Sequence, residues 1–189
     1  MSSGSPLTAT QRNTLGANYT SYDFLTNADR LALDYATTTS LNAVLTPRLS
    51  IDLNHSGELQ PSGSWVRFAD GLYYLQPSDK SRTFTLSTRI QYTPAPALAF
   101  TFEPTYRATD RDGATNGVTT PQRRGRTLNF IGTASLNLPV GRGGTLSGNV
   151  GRTYFADRST TFTSGVPNPS PLSQLDYWTG SLQFSWRPS

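Results

Sequence analysis

The chain has 189 residues, no cysteine, one histidine and a formal net charge of +4. Zero cysteine excludes disulfide frameworks and cysteine nucleophiles, and a single imidazole, His55, excludes any site that needs two. The hydrophobic fraction is 35% and mean hydropathy is −0.44. No apolar run approaches the roughly 20 residues of a membrane helix, but a β-barrel wall, apolar only at every second residue, stays open.

The polar start Met1-Ser-Ser-Gly-Ser carries no leader-like apolar stretch. Residues 1–11 are expected as a flexible N-terminal segment, 12–187 as one β-barrel domain and 188–189 as a tail. Helix signals are poor, because Thr, Ser, Tyr and Phe dominate and no 3.6-residue stripe appears. Period two is clear instead. A first strand is expected around Asn13 to Phe24, with its parity shifting near Tyr22 through a bulge. From Arg30 to Thr46 one parity reads Leu31, Leu33, Tyr35, Thr37, Thr39, Leu41, Ala43, Leu45, and the other is small and polar. After Thr46-Pro47-Arg48 the alternation resumes with Leu49, Ile51, Leu53 and His55. Two alternating runs joined by so short a connection make a hairpin.

The device repeats. Phe84 to Tyr92 turns at Pro94-Ala95-Pro96 into Leu98 to Tyr106, and Leu128 to Val140 turns at Gly141-Arg142-Gly143 into Leu146 to Tyr154. A last strand runs from Tyr177 to Trp186. Between the tight turns lie long polar segments at about 59–82, 108–126 and 157–175, and a shorter one near 25–29. This predicts an all-β fold: a transmembrane antiparallel up-and-down β-barrel of eight strands, with short periplasmic turns and long extracellular loops. Alternating runs of this length exceed the ~9–11 residues that cross a bilayer on a tilt. A soluble ligand-binding β-barrel, with the apolar parity inward, is the competing architecture.

The charges divide by parity. Arg152 is the only charge on the apolar parity of the six middle strands. Asp34, Asp52, Glu58, Arg89, Glu103 and Arg107 lie on the polar parity, as a lumen charge network. With a tight turn at 94–96, Arg89 is expected opposite Thr101 and Glu103 opposite Ser87. Asp52 is expected opposite Asn42 and Glu58 opposite Ala36. The network reads as a static salt-bridged plug or as the lining of a gated pore. Arg123, Arg124 and Arg126, in a long loop, form the densest basic run. They are a candidate site for lipopolysaccharide phosphates or another anion, against the plainer reading of a solvated loop.

Tyr35, Tyr92, Tyr106, Tyr154, Trp178 and Trp186 fall near strand ends, as an aromatic girdle would. Trp65, Phe68, Tyr73 and Tyr74 offer a carbohydrate platform or a hairpin extension. His55 is expected at the interface near a strand end. Asp110-Arg-Asp112-Gly113 lacks the terminal acidic ligand of a calcium loop and reads as a turn. No cofactor, metal site, enzymatic constellation or nucleic-acid partner is indicated.

At the C-terminus, Thr179, Phe184 and Trp186 resemble the terminal insertion signal of bacterial outer-membrane β-barrels, with Ser181 where glycine is usual and Arg187-Pro188-Ser189 following. Leu45-Thr-Pro-Arg-Leu-Ser-Ile-Asp-Leu53 resembles repeats of large barrels such as TonB-dependent receptors. The resemblance implies an outer-membrane location, insertion by the barrel-assembly machinery, and contact with membrane lipid and lipopolysaccharide. The expected role is a non-enzymatic membrane barrel with a side-chain-filled lumen and interacting surface loops. The alternatives are a small-solute, porin-like channel or a fragment of a larger transport barrel.

Overall fold

The structure, a computed structural model, describes residues 7–20, 30–67, 73–115, 118–141 and 143–186. These form strands β1 (Leu7–Thr20), β2 (Arg30–Thr46), β3 (Leu49–Arg67), β4 (Tyr73–Ala95), β5 (Leu98–Thr115), β6 (Val118–Val140), β7 (Gly144–Thr163), β8 (Val166–Pro169) and β9 (Ser173–Trp186). Each pairs antiparallel with its sequence neighbour from β1 to β8, and β9 pairs with β7. β8 and β9 lie along one side of β7, where Thr160 pairs with Pro169 and Asp157 with Ser173. Among the described residues β1 pairs only with β2 and β9 only with β7, so the sheet is open between β1 and β9. Of the closed eight-strand barrel expected from the alternation, the antiparallel up-and-down order is seen among the described residues and the closure is not. Alternation dictates faces, but closure depends on how strand number and stagger combine around a ring.

The hairpins explain the local register. β2 and β3 join through Pro47 and Arg48, with Thr46 opposite Leu49 and a shift between Val44 and Thr46. β4 and β5 join through Pro96 and Ala97, because Ala95 pairs with Leu98. The expected turn at 94–96 thus moves toward the C-terminus, and the register slips with it. Ser87 faces Thr105 and Gln91 faces Thr101, in place of the expected Ser87–Glu103 and Arg89–Thr101. The β6–β7 turn matches expectation, with Val140 opposite Gly144 and positive φ at Gly141 and Gly143. Asn42–Asp52 and Ala36–Glu58 also pair as expected.

The described residues of the long polar segments are mostly strand. β4 and β6 each run 23 residues and β7 runs 20. Thr115 pairs with Val118, and Thr163 pairs with Val166 across Ser164-Gly165 at positive φ. Asp110-Arg-Asp112-Gly113 lies within β5, so the turn expected there is also corrected. β3 and β4 extend to Arg67 and Tyr73, which pair. β1 begins at Leu7, inside the segment expected to be flexible, and Leu7 pairs with Ala43. The expected bulge at Tyr22, the connection at 25–29 and Phe68 lie outside the described residues.

Residues directly opposite across an antiparallel pair share a face, so register carries each parity across the sheet. One face is apolar: Ile51, Ile90, Phe102 and Gly132 lie in one row, and Tyr92, Phe100, Ala134 and Val150 in the next. The other is polar, with Asn54, Ser87, Thr105 and Asn129 in a row. Away from the tight turns the apolar stripe ends stepwise. It ends at Leu59 on β3, level with Arg82, and at Phe84 on β4, level with Ala108. It ends at Leu128 on β6, level with Ala156, and at Tyr154 on β7, level with Asp176. Trp178 ends it on β9. The stripe thus descends through the register rows from β3 to β9, as strands tilted to a common axis require. No hydrophobic side chain is buried among the described residues, because nothing covers either face of this single layer.

Candidate functional site

The polar face gathers all six charges expected there, but not as one network. Arg89 faces Asp52 across β3–β4, and its Nε lies 3.1 Å from Glu103 Oε1 across β4–β5. Asn42 Nδ2 donates to Asp52 Oδ1, which gives a continuous row Asn42–Asp52–Arg89–Glu103. Glu58 accepts from Gln60 Nε2 at 2.6 Å. Asp34 and Arg107 have no ion-pair partner among the described residues. The Arg89 and Glu103 side chains are 54% and 39% exposed. Among the described residues the charges expected in the lumen join in this short, partly exposed row.

The basic run is split by strand parity. Arg124 and Arg126 extend the apolar face beyond Leu128, whereas Arg123 lies on the polar face opposite Arg111. On the apolar side, β5 supplies carboxylates to match. Arg126 Nη1 donates to Asp110 Oδ1 at 2.7 Å, and the guanidinium pKa lies above its ordinary value mainly through that bond. Arg82 Nη2 lies 3.3 Å from Asp112 Oδ2. Arg124 Nη2 lies 2.6 Å from Asp112 Oδ1 without hydrogen-bond alignment, so that contact is coulombic. These pairs cover Asp112, whose side chain is 8% exposed. Arg158, directly opposite Arg126, is exposed and has no carboxylate partner among the described residues.

On the polar side, Arg107, Arg111 and Arg123 line a recess of about 300 Å³ together with Thr109, Gly125 and Asp157. Asp157 Oδ1 accepts from Thr127 Oγ1 at 2.7 Å. Sequence reasoning singled out Arg107 and Arg123 separately and missed Arg111 and Asp157. Carrying the parity of β5 and β6 onward through 108–126 would have joined them.

The six girdle aromatics share the apolar face. Tyr92 stacks on Phe100 with centroids 6.4 Å apart, and Tyr106 and Tyr154 tilt against Phe84 and Phe130 at 6.3 and 6.1 Å. Tyr35 donates to Asn13 Oδ1 at 3.4 Å. Arg152, level with Trp178, stands 5.4 Å over its ring and forms a bidentate pair with Asp176 at 3.0 and 2.7 Å. The single charge within the apolar parity is therefore neutralised at the stripe's edge. Phe184 and Trp186 lie on the apolar face of β9, and Thr179 on the polar face opposite Gly151. His55 sits mid-strand, 4.9 Å from the Phe84 ring. The expected strand-end position fails because β3 continues to Arg67. For the carbohydrate platform, only backbone pairing is described at Trp65, Tyr73 and Tyr74.

No protein-family model matches the sequence, and no curated protein matches it significantly. Among solved structures, the fold is similar to the siderophore receptor PiuA from Acinetobacter baumannii, with a TM-score of 0.53 and 12% identity. The match covers 97% of this chain and 38% of that one, so this chain spans little more than a third of the receptor's length. The likeness is one of fold.

Proposed function

We propose that this chain forms part of the wall of a transport barrel in a bacterial outer membrane. Its apolar face meets lipid, its polar face lines a water-filled lumen, and it has no enzymatic role. The observation that carries this reading is an open, two-faced sheet whose apolar stripe has bilayer height. On β6 the stripe runs from Leu128 to Val140, roughly 40 Å along the strand at ~3.3 Å per residue. A tilt of about 45° converts that to about 28 Å, close to the ~30 Å of a bilayer's hydrocarbon core. Strand beyond the stripe is mostly polar, as along 107–115 and 119–127, and stands clear of lipid.

The absence of buried hydrophobic side chains among the described residues argues against a free-standing soluble barrel. The molecule exposes 13625 Å², whereas a folded monomer of its mass exposes about 8,900 Å². Lipid on one face and further strands at the β1 and β9 edges supply the missing cover. The likeness in fold to a siderophore receptor supports the same reading. Tyr106, Tyr154 and Trp178 then mark one interface, and Tyr92 and Trp186 the other. Arg124, Arg126 and Arg158, beyond the aromatic edge, face phosphate-bearing lipid, lipopolysaccharide in the outer leaflet. β9, with Thr179, Phe184 and Trp186, engages the barrel-assembly machinery.

The test is partition of the full chain into phospholipid vesicles carrying bromine at defined acyl depths. Trp178 and Trp186 emission is quenched on insertion, with far-UV circular dichroism reporting β structure. A chain that is folded and monodisperse without detergent, and whose tryptophans no brominated lipid quenches, overturns the proposal.

A further inference from the structure

We propose that Arg107, Arg111 and Arg123 form a binding site on the polar face for a solute carrying a multiply charged oxyanion of the phosphate class. β5 and β6 treat their two faces differently. On the apolar side, each of Arg82, Arg124 and Arg126 has an Asp110 or Asp112 oxygen at 2.6–3.8 Å. On the polar side, Arg111 and Arg123 stand directly opposite each other, a like-charge pairing that disfavours the bare sheet. Arg111 reaches only Asp79, at 3.7 Å, and neither Arg107 nor Arg123 has an ion-pair partner among the described residues. Asp157 is the recess's one carboxylate, and Thr127 already occupies one of its oxygens. Three guanidiniums against the carboxylates of Asp157 and, beside Arg111, Asp79 leave the recess with net positive charge.

Its floor is Gly125, between Thr109 and Ser159. A Cβ there would meet only Thr109 O at 3.7 Å and Thr109 Cβ at 3.9 Å, ordinary contact distances. Backbone packing thus does not require glycine, and what glycine provides is space. Guanidinium forks on both sides of that space, with the hydroxyls of Thr109 and Ser159 beside it, match a tetrahedral oxyanion.

The test uses the full chain folded in a zwitterionic detergent, titrated with inorganic phosphate at constant ionic strength by calorimetry. It does not require membrane insertion, so its failure is separable from failure of the wall proposal. Saturable phosphate binding is expected in the wild type. The Arg107→Gln/Arg123→Gln variant weakens it at least tenfold, and so does Gly125→Val, which fills the recess while keeping every charge. Arg12→Gln/Arg48→Gln, which removes the same charge away from the recess, leaves it within twofold. Circular dichroism accompanies each variant. No saturable binding in the wild type overturns the proposal, as does equal loss in the Arg12/Arg48 variant or unchanged affinity in both recess variants. A second arm supplies phosphate only as a lipid headgroup in mixed micelles. Binding there but not to inorganic phosphate also overturns the solute site.

Discussion

Ala134 tests the assignment of faces most directly. It lies midway along the β6 stripe between Leu128 and Val140, in a row with Tyr92, Phe100 and Val150. Its small side chain means that replacement removes little packing, so Ala134→Arg reports mainly the transfer of a guanidinium. If this face meets lipid, the cost at bilayer mid-depth is about 2–4 kcal/mol and falls to about 0–1 kcal/mol near the interface. The folding equilibrium then drops roughly 30- to 700-fold for Ala134→Arg. Val140→Arg, at the turn end of the same stripe, costs about 0–1 kcal/mol. Thr133→Arg, one residue away and on the exposed polar face, stays within about 0.5 kcal/mol of wild type. The assay is urea unfolding from phospholipid vesicles, followed by tryptophan emission. A dry protein core would penalise Ala134 and Val140 alike, so the decrease with depth is the membrane-specific signature. Equal costs at these two positions, or a cost at Thr133 matching that at Ala134, would refute the reasoning.

Three further outcomes follow from local geometry. A double-mutant cycle on Arg89→Ala and Glu103→Ala should give a coupling of about 0.2–1 kcal/mol, as for a solvated pair; a coupling above ~2 kcal/mol would mean a dehydrated lumen. Gly144→Ala would place its Cβ 2.4 Å from the Val140 carbonyl oxygen, an overpacking cost of about 1–3 kcal/mol by urea midpoint. Gly132→Ala meets only Phe102 Cδ2 at 4.0 Å, and by the same measurement should be neutral or stabilising, up to about 1 kcal/mol. Phe102 and Phe130, stacked with centroids 6.0 Å apart and planes at 14°, should couple by about 0.5–1.5 kcal/mol in an alanine cycle; no coupling would place the rings apart.

What could be read from the sequence was local. Period two survives in a single strand, so the apolar parity of Leu128 to Val140 and the polar parity of Asp52, Arg89 and Glu103 are recoverable without a neighbour. Turn position is less secure, because Pro94-Ala95-Pro96-Ala97 offers two places to reverse. The two-residue slip it introduced brought Arg89 and Glu103 level instead of diagonal. The long segments were misread for a different reason. Alternation of apolar with polar residues is a signature of unlike environments on the two faces. Where both faces are wet, as along Arg107 to Thr115 and Val118 to Thr127, a strand keeps its ladder but loses that signature. What marks it instead is cross-strand pairs such as Arg126–Asp110 and Arg124–Asp112, which a scan of one strand at a time cannot see. Asn116-Gly117 was the one local cue, since that dipeptide is favoured in two-residue hairpins.

Continuing the parity through such a segment changes its chemistry more than its shape. Arg123, Arg124 and Arg126 are neighbours in sequence and look like one basic cluster. On a strand, Arg123 belongs with Arg107 and Arg111, and the other two belong with Asp110 and Asp112. The cluster therefore divides between two sites, one where Arg107 and Arg123 have no ion-pair partner among the described residues and one where the arginines pair with Asp110 and Asp112. Closure of the sheet was beyond this kind of inference. Eight alternating crossings are compatible with a small ring or with an arc of a large one, because both need the same two faces. Stagger per strand and the partners of the edge strands separate them. Those partners are non-local, and at β1 and β9 they are not supplied by the described residues.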